Sequence, residues 1–196
     1  FRTDWKNVQV DSQYIAPPPT VGQVGYTSNA GKAEIEGFEL EARWQATEKL
    51  SLSAGYAYTP ARIFNYQDSR ATAAGISTLG KKQLPYSSDS TATASILYDT
   101  PLGGDWRGYA QLDGVLRSTQ YASVANLAET GDRTIVDLRL GVVSDAWEIA
   151  GFVTNLFDDD TALSVSPFVN AQTFGRNFIV AVPDPRQYGL RVRYTF

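Results

Sequence analysis

Two segments of the chain carry side chains whose types and spacing suit the binding of a ligand. Segments 61–89 and 158–185 each place cationic residues beside aromatic residues. The candidates are Arg62, Phe64, Tyr66, Arg70, Lys81, Lys82, Phe168, Phe174, Arg176 and Phe178. A cation next to an aromatic ring favours an anionic, ring-bearing ligand such as a metal chelate. The alternative, that these aromatic rings pack the two segments together, is left open by the sequence.

The composition excludes most catalytic and metal chemistry. The chain has no Cys and no His, so neither a nucleophile–base pair nor a thiolate metal site is expected. We therefore predict no enzyme activity, no cofactor and no resident metal. Asp158, Asp159 and Asp160 have the oxygen ligands that a hard cation such as Ca²⁺ prefers, but a polar start to a loop is the favoured explanation. The net charge of -4, without a Lys/Arg-rich run, predicts that nucleic acid is not a partner.

Apolar and polar residues alternate with a period of two along most of the chain, which indicates β-strands. In the second strand, one face is apolar and consists of Phe38, Leu40, Ala42 and Trp44. The predicted strands are 1–12, 32–45, 49–60, 90–99, 106–118, 133–143, 147–157 and 186–196. In the seventh strand, Phe152 and Leu156 break the alternation, so the facing of this strand is ambiguous.

The connections between these strands alternate in length. Segments 46–48, 100–105 and 144–146 are short, whereas 13–31, 61–89, 119–132 and 158–185 are long. All long connections therefore emerge at one end, as in a transmembrane antiparallel up-and-down β-barrel. No run of apolar residues reaches the roughly 18–20 needed for a membrane helix. Charged residues on the inward face also count against a small soluble barrel, whose interior is apolar. Strand length, the alternation of loop lengths and the aromatic residues near the strand ends count against a soluble β-sandwich.

Aromatic residues near the short-connection end predict a membrane girdle. The girdle consists of Trp5, Trp44, Tyr98, Trp106, Trp147 and Tyr194. Trp and Tyr favour membrane interfaces because the ring is apolar while its N–H or O–H group stays hydrated. We expect all four tryptophans to lie at one height, just above the short connections.

Three motifs carry a resemblance to a known family. The segment 185–196, which runs Pro-Arg-Gln-Tyr-Gly-Leu-Arg-Val-Arg-Tyr-Thr-Phe, resembles the closing strand of TonB-dependent receptors. The Asn-Leu-Phe-Asp box at 155–158 and the Gly-x-x-x-x-x-Gly-x-Glu pattern at 31–39 are also similar to that family. The resemblance covers most of residues 30–196. The box departs from the family in lacking a Tyr a few residues later.

The resemblance implies that residues 1–196 are the last eight strands of a 22-stranded barrel in the outer membrane of a Gram-negative bacterium. It implies active uptake of a scarce nutrient, with ferric siderophores as the commonest cargo. Outer-membrane lipids surround such a barrel, the assembly machinery reads its C-terminal strand and Phe196, and the TonB system acts through an N-terminal region that lies outside these residues.

Because the chain has neither Met nor a signal segment, we expect it to be a fragment or a processed product. Two other functions remain open. A complete eight-stranded barrel would have a structural, adhesion or recognition role, and its interior would be filled by side chains. An outer-membrane enzyme of barrel type is disfavoured by the absence of His.

Overall fold

The computed structural model describes residues 1–16, 22–29, 31–67, 75–169 and 176–196, and every regular element among them is a β-strand. The strands are β1 (Arg2–Lys6), β2 (Gln9–Ala16), β3 (Gly22–Asn29), β4 (Lys32–Glu36), β5 (Phe38–Thr47), β6 (Leu50–Tyr58), β7 (Ala61–Phe64), β8 (Lys81–Gln83), β9 (Ser90–Gly103), β10 (Trp106–Arg117), β11 (Arg133–Val143), β12 (Trp147–Thr154), β13 (Ser164–Val169), β14 (Arg176–Ala181) and β15 (Gln187–Tyr194). No helix long and apolar enough to span a membrane occurs in these ranges.

The main sheet has seven antiparallel strands in the order β15-β12-β11-β10-β9-β6-β5. Each strand pairs with the next strand of this sheet along the chain, which confirms the predicted up-and-down arrangement. A four-stranded sheet, β1-β4-β7-β8, continues from it at the long-connection end. The first and last strands of the series, β1 and β15, do not pair with each other within the described residues, so the sheet is open.

The long connections are more regular than predicted. The 13–31 and 158–185 segments contain most of the hairpins β2–β3 and β13–β14, and β8 lies within 61–89. The predicted strand 32–45 is interrupted at Gly37, yet its register with the next strand continues unbroken, from Ile35↔Ala61 to Phe38↔Tyr58. A Cβ on Gly37 would lie 2.1 Å from the carbonyl oxygen of Tyr58. Only glycine therefore permits this close approach of the two backbones.

The main sheet has two chemically different faces. We define the outer face as the one that carries Phe38, Leu40 and Trp44, and the inner face as the one that carries Glu39 and Arg43. Large apolar side chains on the outer face are exposed, for example Leu40 at 65% and Leu190 at 74%. A sheet that exposes its apolar face and carries charges on the other is the inverse of a soluble barrel, and it requires an apolar solvent outside.

The register resolves the facing of the seventh predicted strand. Val153 pairs with Tyr188 on the outer face, whereas Phe152 pairs with Gly189 on the inner face. A Cβ on Gly189 would lie 2.1 Å from the Phe152 ring, so the ring covers the glycine. Phe152 breaks the alternation because an aromatic ring fills the space that a glycine leaves on the neighbouring strand.

A small hydrophobic core lies at the long-connection end. Its buried members are Val8, Ala33, Ile63, Tyr66 and Val124, with Val10 and Leu84 packed against them. Ala33 pairs with Ile63 on the inner face, so this core lies on the inner side of the sheet. The 75–89 and 119–132 segments contribute Leu84 and Val124 to this core. Both segments therefore pack against the inner side of the sheet at its long-connection end, which we call the mouth of the wall.

Candidate functional site

The main sheet forms a wall whose strand tilt follows from the register. Trp44 in β5 is linked to Val153 in β12 by five successive cross-strand pairs, which form one row across the sheet. Val153 lies six residues after Trp147 in β12, toward the long connections. Six residues correspond to about 20 Å along a strand and five steps to about 24 Å across the sheet, which gives a tilt of about 40° if Trp44 and Trp147 share one height. This value falls within the range of about 35–45° for β-barrels.

The aromatic residues near the short connections cluster in the structure. Trp147 packs against Tyr194 with ring centroids 4.6 Å apart and the rings tilted by 45°, and Tyr194 contacts Phe196 edge-on with centroids 5.0 Å apart. All three rings lie on the outer face, where Trp44 is 65% exposed. Their assignment to a membrane interface stays a prediction, but their common position at one end of the wall fits it.

The expectation that Trp5 shares this height is wrong. Trp5 pairs with Ala33, which lies eleven residues from Trp44 along the neighbouring strand. That separation corresponds to about 35 Å along the strand direction. Trp5 also lies on the inner face with Ala33, at the mouth of the wall. The sequence placed Trp5 at the start of a strand but could not provide the register of that strand.

The polarity of the outer face changes at Gly37. Beyond it, toward the long connections, the outer face carries charged residues that form ion pairs. Arg2 lies 2.8 Å from Glu36 and 3.2 Å from Glu34, and Lys32 also pairs with Glu34. From Phe38 to Thr47 the apolar outer face spans about 30 Å along the strand, or about 23 Å in height at the tilt above, close to the roughly 25 Å apolar band of membrane barrels. Gly37 therefore marks the upper edge of that band.

Three of the predicted ligand-binding residues lie on this charged part of the outer face. Arg62, Phe64 and Lys81 line a cleft together with Glu34 and Tyr58. The Lys81 ammonium lies 5.8 Å from the centre of the Phe64 ring. The structure thus brings a cation and a ring together as the sequence suggested, but on the outside of the wall.

Arg62 is neutralised by a neighbouring carboxylate. Its guanidinium donates a hydrogen bond of 2.6 Å to Oδ1 of Asp89 and a second bond to Oδ2. The hydrogen bonds and charge of Asp89 raise the pKa of Arg62 against the opposing effect of burial. Arg62 is therefore already paired and less suited to bind an anionic ligand.

Tyr66 belongs to the hydrophobic core of the mouth. It is 9% exposed, and its hydroxyl hydrogen-bonds the Ser28 hydroxyl at 3.2 Å. Its carbonyl oxygen accepts a hydrogen bond of 2.6 Å from Thr78 Oγ1. Tyr66 therefore agrees with the alternative interpretation, in which the aromatic rings pack the two segments together.

Lys82 is half-buried and pairs with Ile63 on the inner face.

The remaining candidates are only partly described. Arg70 of the first segment and Phe174 of the second lie outside the described residues. Phe168 and Arg176 belong to β13 and β14, where the described register pairs Phe168 with Asn177 and Val169 with Arg176. Phe178 is 54% exposed in β14. A ligand-binding role for these residues stays a prediction.

The Asn155-Leu156-Phe157-Asp158 box ties three strands together. Asn155 is 5% exposed, and its side-chain amide donates to the carbonyls of Asp159 and Asp184, while its backbone N–H donates to Asp137 at 2.9 Å. The backbone N–H of Arg186, which precedes β15, donates to Asp158 at 2.7 Å. The box therefore links the ends of β11, β12 and β15.

Asp159 also helps to link the strand ends at this box. It accepts hydrogen bonds of 2.7 Å from the Thr134 N–H and 2.8 Å from the Thr161 N–H. Burial opposes ionisation of Asp159, but these hydrogen bonds outweigh it and lower its pKa. No cluster of metal-binding side chains occurs within the described part of the chain. The contacts of Asp158 and Asp159 favour a polar loop start over a Ca²⁺ site.

The inner face of the wall is polar and internally bonded. Ser95 donates a hydrogen bond of 2.6 Å to Asp113, and Arg107 lies 2.7 Å from Asp99. Tyr109 lies over Gly141, where a Cβ would meet the ring at 2.7 Å. Sequence reasoning missed this aromatic–glycine pair, since only the register places Tyr109 opposite Gly141. This face can contact water or other polar protein, but it holds no arrangement suited to bond-making chemistry.

Comparison with known proteins agrees with this architecture. A family model described as TonB dependent receptor-like, beta-barrel, matches residues 1–156. The structure is similar to the ferric yersiniabactin uptake receptor FyuA from Yersinia pestis (TM-score 0.74, 22% identity, 100% of this chain and 26% of that one). It is also similar to the siderophore receptor PiuA from Acinetobacter baumannii (TM-score 0.68, 20% identity, 98% and 25%) and to the copper transporter OprC (TM-score 0.64, 18% identity, 100% and 28%).

This chain spans about a quarter of the length of those structures. At these identities the structural likeness shows the fold, and the family model, which matches most of the chain, shows the family. Members of the family are receptors and transporters in the outer membrane of Gram-negative bacteria, not enzymes. The chain therefore belongs to the TonB-dependent receptor-like β-barrel family.

Proposed function

We propose that residues 1–196 form part of the barrel wall of a receptor that takes up a scarce nutrient across the outer membrane with energy from the TonB system. The observation that carries this proposal is the combination of an apolar outer face, a polar inner face and an open sheet. An open sheet needs further strands to close, whereas a complete eight-stranded barrel would pair β1 with β15. The open edges therefore favour a larger barrel over a small barrel with an adhesion or recognition role.

The proposed cargo is a ferric siderophore. Two of the similar structures carry siderophore uptake or siderophore receptor in their names. A third is named a copper transporter, so a metal other than iron is the competing cargo. The basic and aromatic residues of the two long segments suit an anionic chelate, with Lys81 and Phe178 the described members that lie exposed.

The proposed partners follow from the family. The barrel contacts outer-membrane lipids, and the assembly machinery recognises the C-terminal strand that ends at Phe196. The TonB system would engage a region of the receptor outside these residues. None of these contacts requires a cofactor within the chain.

The test is uptake of radioactive iron by cells that carry the full-length gene, with and without a proton gradient. We expect iron–siderophore uptake that requires both the gene and the gradient, and that is lost when the TonB system is deleted. A parallel measurement with copper separates the two cargoes. Uptake of neither metal, or uptake that continues without a gradient, would contradict the proposal.

A further inference from the structure

A row of lysines crosses the outer face of the wall above the apolar band. Lys32 in β4 pairs with Lys6 in β1 on one side and with Phe64 in β7 on the other. Phe64 in turn pairs with Lys81 in β8. Ala33 points to the inner face, so its neighbour Lys32, and with it the whole row, points to the outer face. Three strand-to-strand steps set Lys6 and Lys81 about 14 Å apart across the sheet.

Two of these lysines have no ion-pair partner in the described part of the chain. Lys32 pairs with Asp4 and Glu34, whereas neither Lys6 nor Lys81 has a described carboxylate within 4.0 Å. Both of these side chains are exposed. Lys6 and Lys32 are also like charges placed directly opposite each other, an arrangement that destabilises a sheet. An anion that binds from outside would relieve this repulsion.

Acidic groups lie beneath the lysine row rather than within it. Glu34 and Glu36 are two and four residues nearer to the apolar band than Lys32. Arg2 lies 3.2 Å from Glu34 and 2.8 Å from Glu36, so these carboxylates already have a cationic partner in the wall. The row itself presents ammonium groups and one aromatic ring to the outside.

The height of the row distinguishes between classes of lipid. Lys32 lies five residues above Gly37, which is about 17 Å along the strand or about 13 Å in height at the tilt above. The slant of the row lowers Lys6 by about 3 Å and raises Lys81 by about 6 Å. Phospholipid headgroups add only about 5–8 Å to the hydrocarbon region on each side. The lysines therefore lie too high for phospholipid phosphates and suit a lipid whose sugars carry anionic groups further out.

A cleft connects the lysine row to the apolar band. Phe38 and Tyr58 line its lower end, Pro60 its middle, and Phe64 and Lys81 its upper end. The rings of Phe38 and Tyr58 lie 6.1 Å apart, at the upper edge of the band. An acyl chain can lie against these rings while a charged sugar attached to it reaches Lys81.

We propose that this outer cleft and the lysine row bind an anionic saccharolipid of the lipopolysaccharide class. Its acyl chains lie against Phe38 and Tyr58, and its phosphate or carboxylate groups lie on Lys6 and Lys81. Lysines near an anionic lipid surface attract it, and their long stems let the ammonium groups reach the charges. The proposal rests on the barrel-in-membrane part of the proposed function, in which the outer face contacts lipid, and not on the identity of the cargo.

The test uses the full-length receptor, purified in detergent and freed of lipid. The probe is a lipopolysaccharide that retains only lipid A and the phosphorylated inner-core sugars, and binding is measured by native mass spectrometry. We expect Lys6→Gln and Lys81→Gln each to weaken binding about fivefold, and the double variant about thirtyfold. Phosphatidylglycerol should bind more weakly and equally to the native receptor and the double variant. Lys49→Gln is the control, because Lys49 is exposed in a short connection at the opposite end of the wall.

Three results would overturn the proposal. Equal weakening by Lys49→Gln would mean that overall charge, and not the row, attracts the lipid. Phosphatidylglycerol binding as tight as that of lipopolysaccharide would show that the height of the row does not matter. Weakening by Lys81→Gln but not by Lys6→Gln would leave only the pair of Lys81 and Phe64, which is also a candidate for cargo binding.

Thermal unfolding separates lipid binding from a purely structural role. In lipid-free detergent, the double variant of Lys6 and Lys81 should unfold at the native temperature. Added lipopolysaccharide should raise the unfolding temperature of the native receptor more than that of the variant. Proton-driven iron uptake is measured separately. Loss of uptake with lipid binding intact would contradict the proposed function alone, and intact uptake without lipid binding would contradict the lipid site alone.

Discussion

The wall below Gly37 and the mouth above it use the same alternating pattern in opposite senses. Below Gly37, the outer face is apolar and exposed while the inner face carries the charges. Above it, the outer face carries the ion pairs of Arg2 and Lys32, and the inner face buries Ala33 and Ile63 in a small core. The register does not change across this boundary. Alternation therefore identifies a strand, whereas the solvent on each side decides which face must be apolar.

The largest effect should come from a charge placed on the outer face of the wall. Ile96 lies between Leu52 and Leu112 in the middle of the apolar face. We expect Ile96→Arg to destabilise the barrel by about 2–4 kcal/mol in bilayers, as for cations near the membrane midplane. Phe64→Arg, on the outer face above Gly37, is the matched control and should have little effect. If urea unfolding in lipid vesicles shows the same loss of stability for both variants, the apolar band does not end at Gly37.

The junction itself should be the next most sensitive position. Gly37→Ala places a methyl group 2.1 Å from the Tyr58 carbonyl oxygen, so one of the two strands must shift. We expect a loss of about 2–3 kcal/mol, in the range for overpacked sites. Gly25→Ala in β3 is the control, because nothing lies within 4 Å of the added carbon. The stabilities of both variants are measured by unfolding in lipid vesicles. Similar stabilities would contradict the prediction, because they would show that the junction tolerates the strand shift.

A smaller, pH-dependent effect is expected at the Asn155 box. The pKa of Asp159 is lowered from its ordinary value of 3.8, so its contribution to stability is complete above that pH and is lost as the pH falls through the folded-state pKa. Asp159→Asn should cost about 1–2 kcal/mol at pH 7. It should also flatten the stability profile below pH 4, as measured by denaturant unfolding between pH 3 and 7. Asp160→Asn, in an exposed neighbour, should preserve the native profile.

Sequence alone could predict the parts of the fold that depend on local pattern. The alternation in β5, β6, β9, β10 and β11 gave correct strands and faces, because each strand presents one face to each solvent. It could not give the facing of Phe152, since the exception depends on Gly189 of another strand. It also does not predict the hairpin β2–β3, most of which lies in the segment 13–31 that the pattern predicts to be a loop.

The candidate site was less predictable for the same reason. The candidate loop residues have side chains of a suitable type, yet Tyr66 packs in the core, and Arg62 pairs with Asp89, 27 positions away in the sequence. The Tyr109–Gly141 pair is also invisible in sequence, because only the register sets these two residues opposite each other. These pairings depend on contacts between segments that are far apart in the chain, and such contacts cannot be deduced from a single sequence.

The smallest effect, and the finest test of the two regions, concerns the tryptophans. Trp44 lies on the outer face of the wall, whereas Trp5 lies on the inner face of the mouth, opposite Ala33. In variants that keep one tryptophan each, lipids with brominated acyl chains should quench the fluorescence of Trp44 and leave that of Trp5 nearly unchanged. Replacing Trp5 with Phe should change stability little, because its side chain is half exposed and does not contact lipid. Strong quenching of Trp5 would place it in the membrane, restore the single aromatic belt expected from sequence, and require a different register for β1.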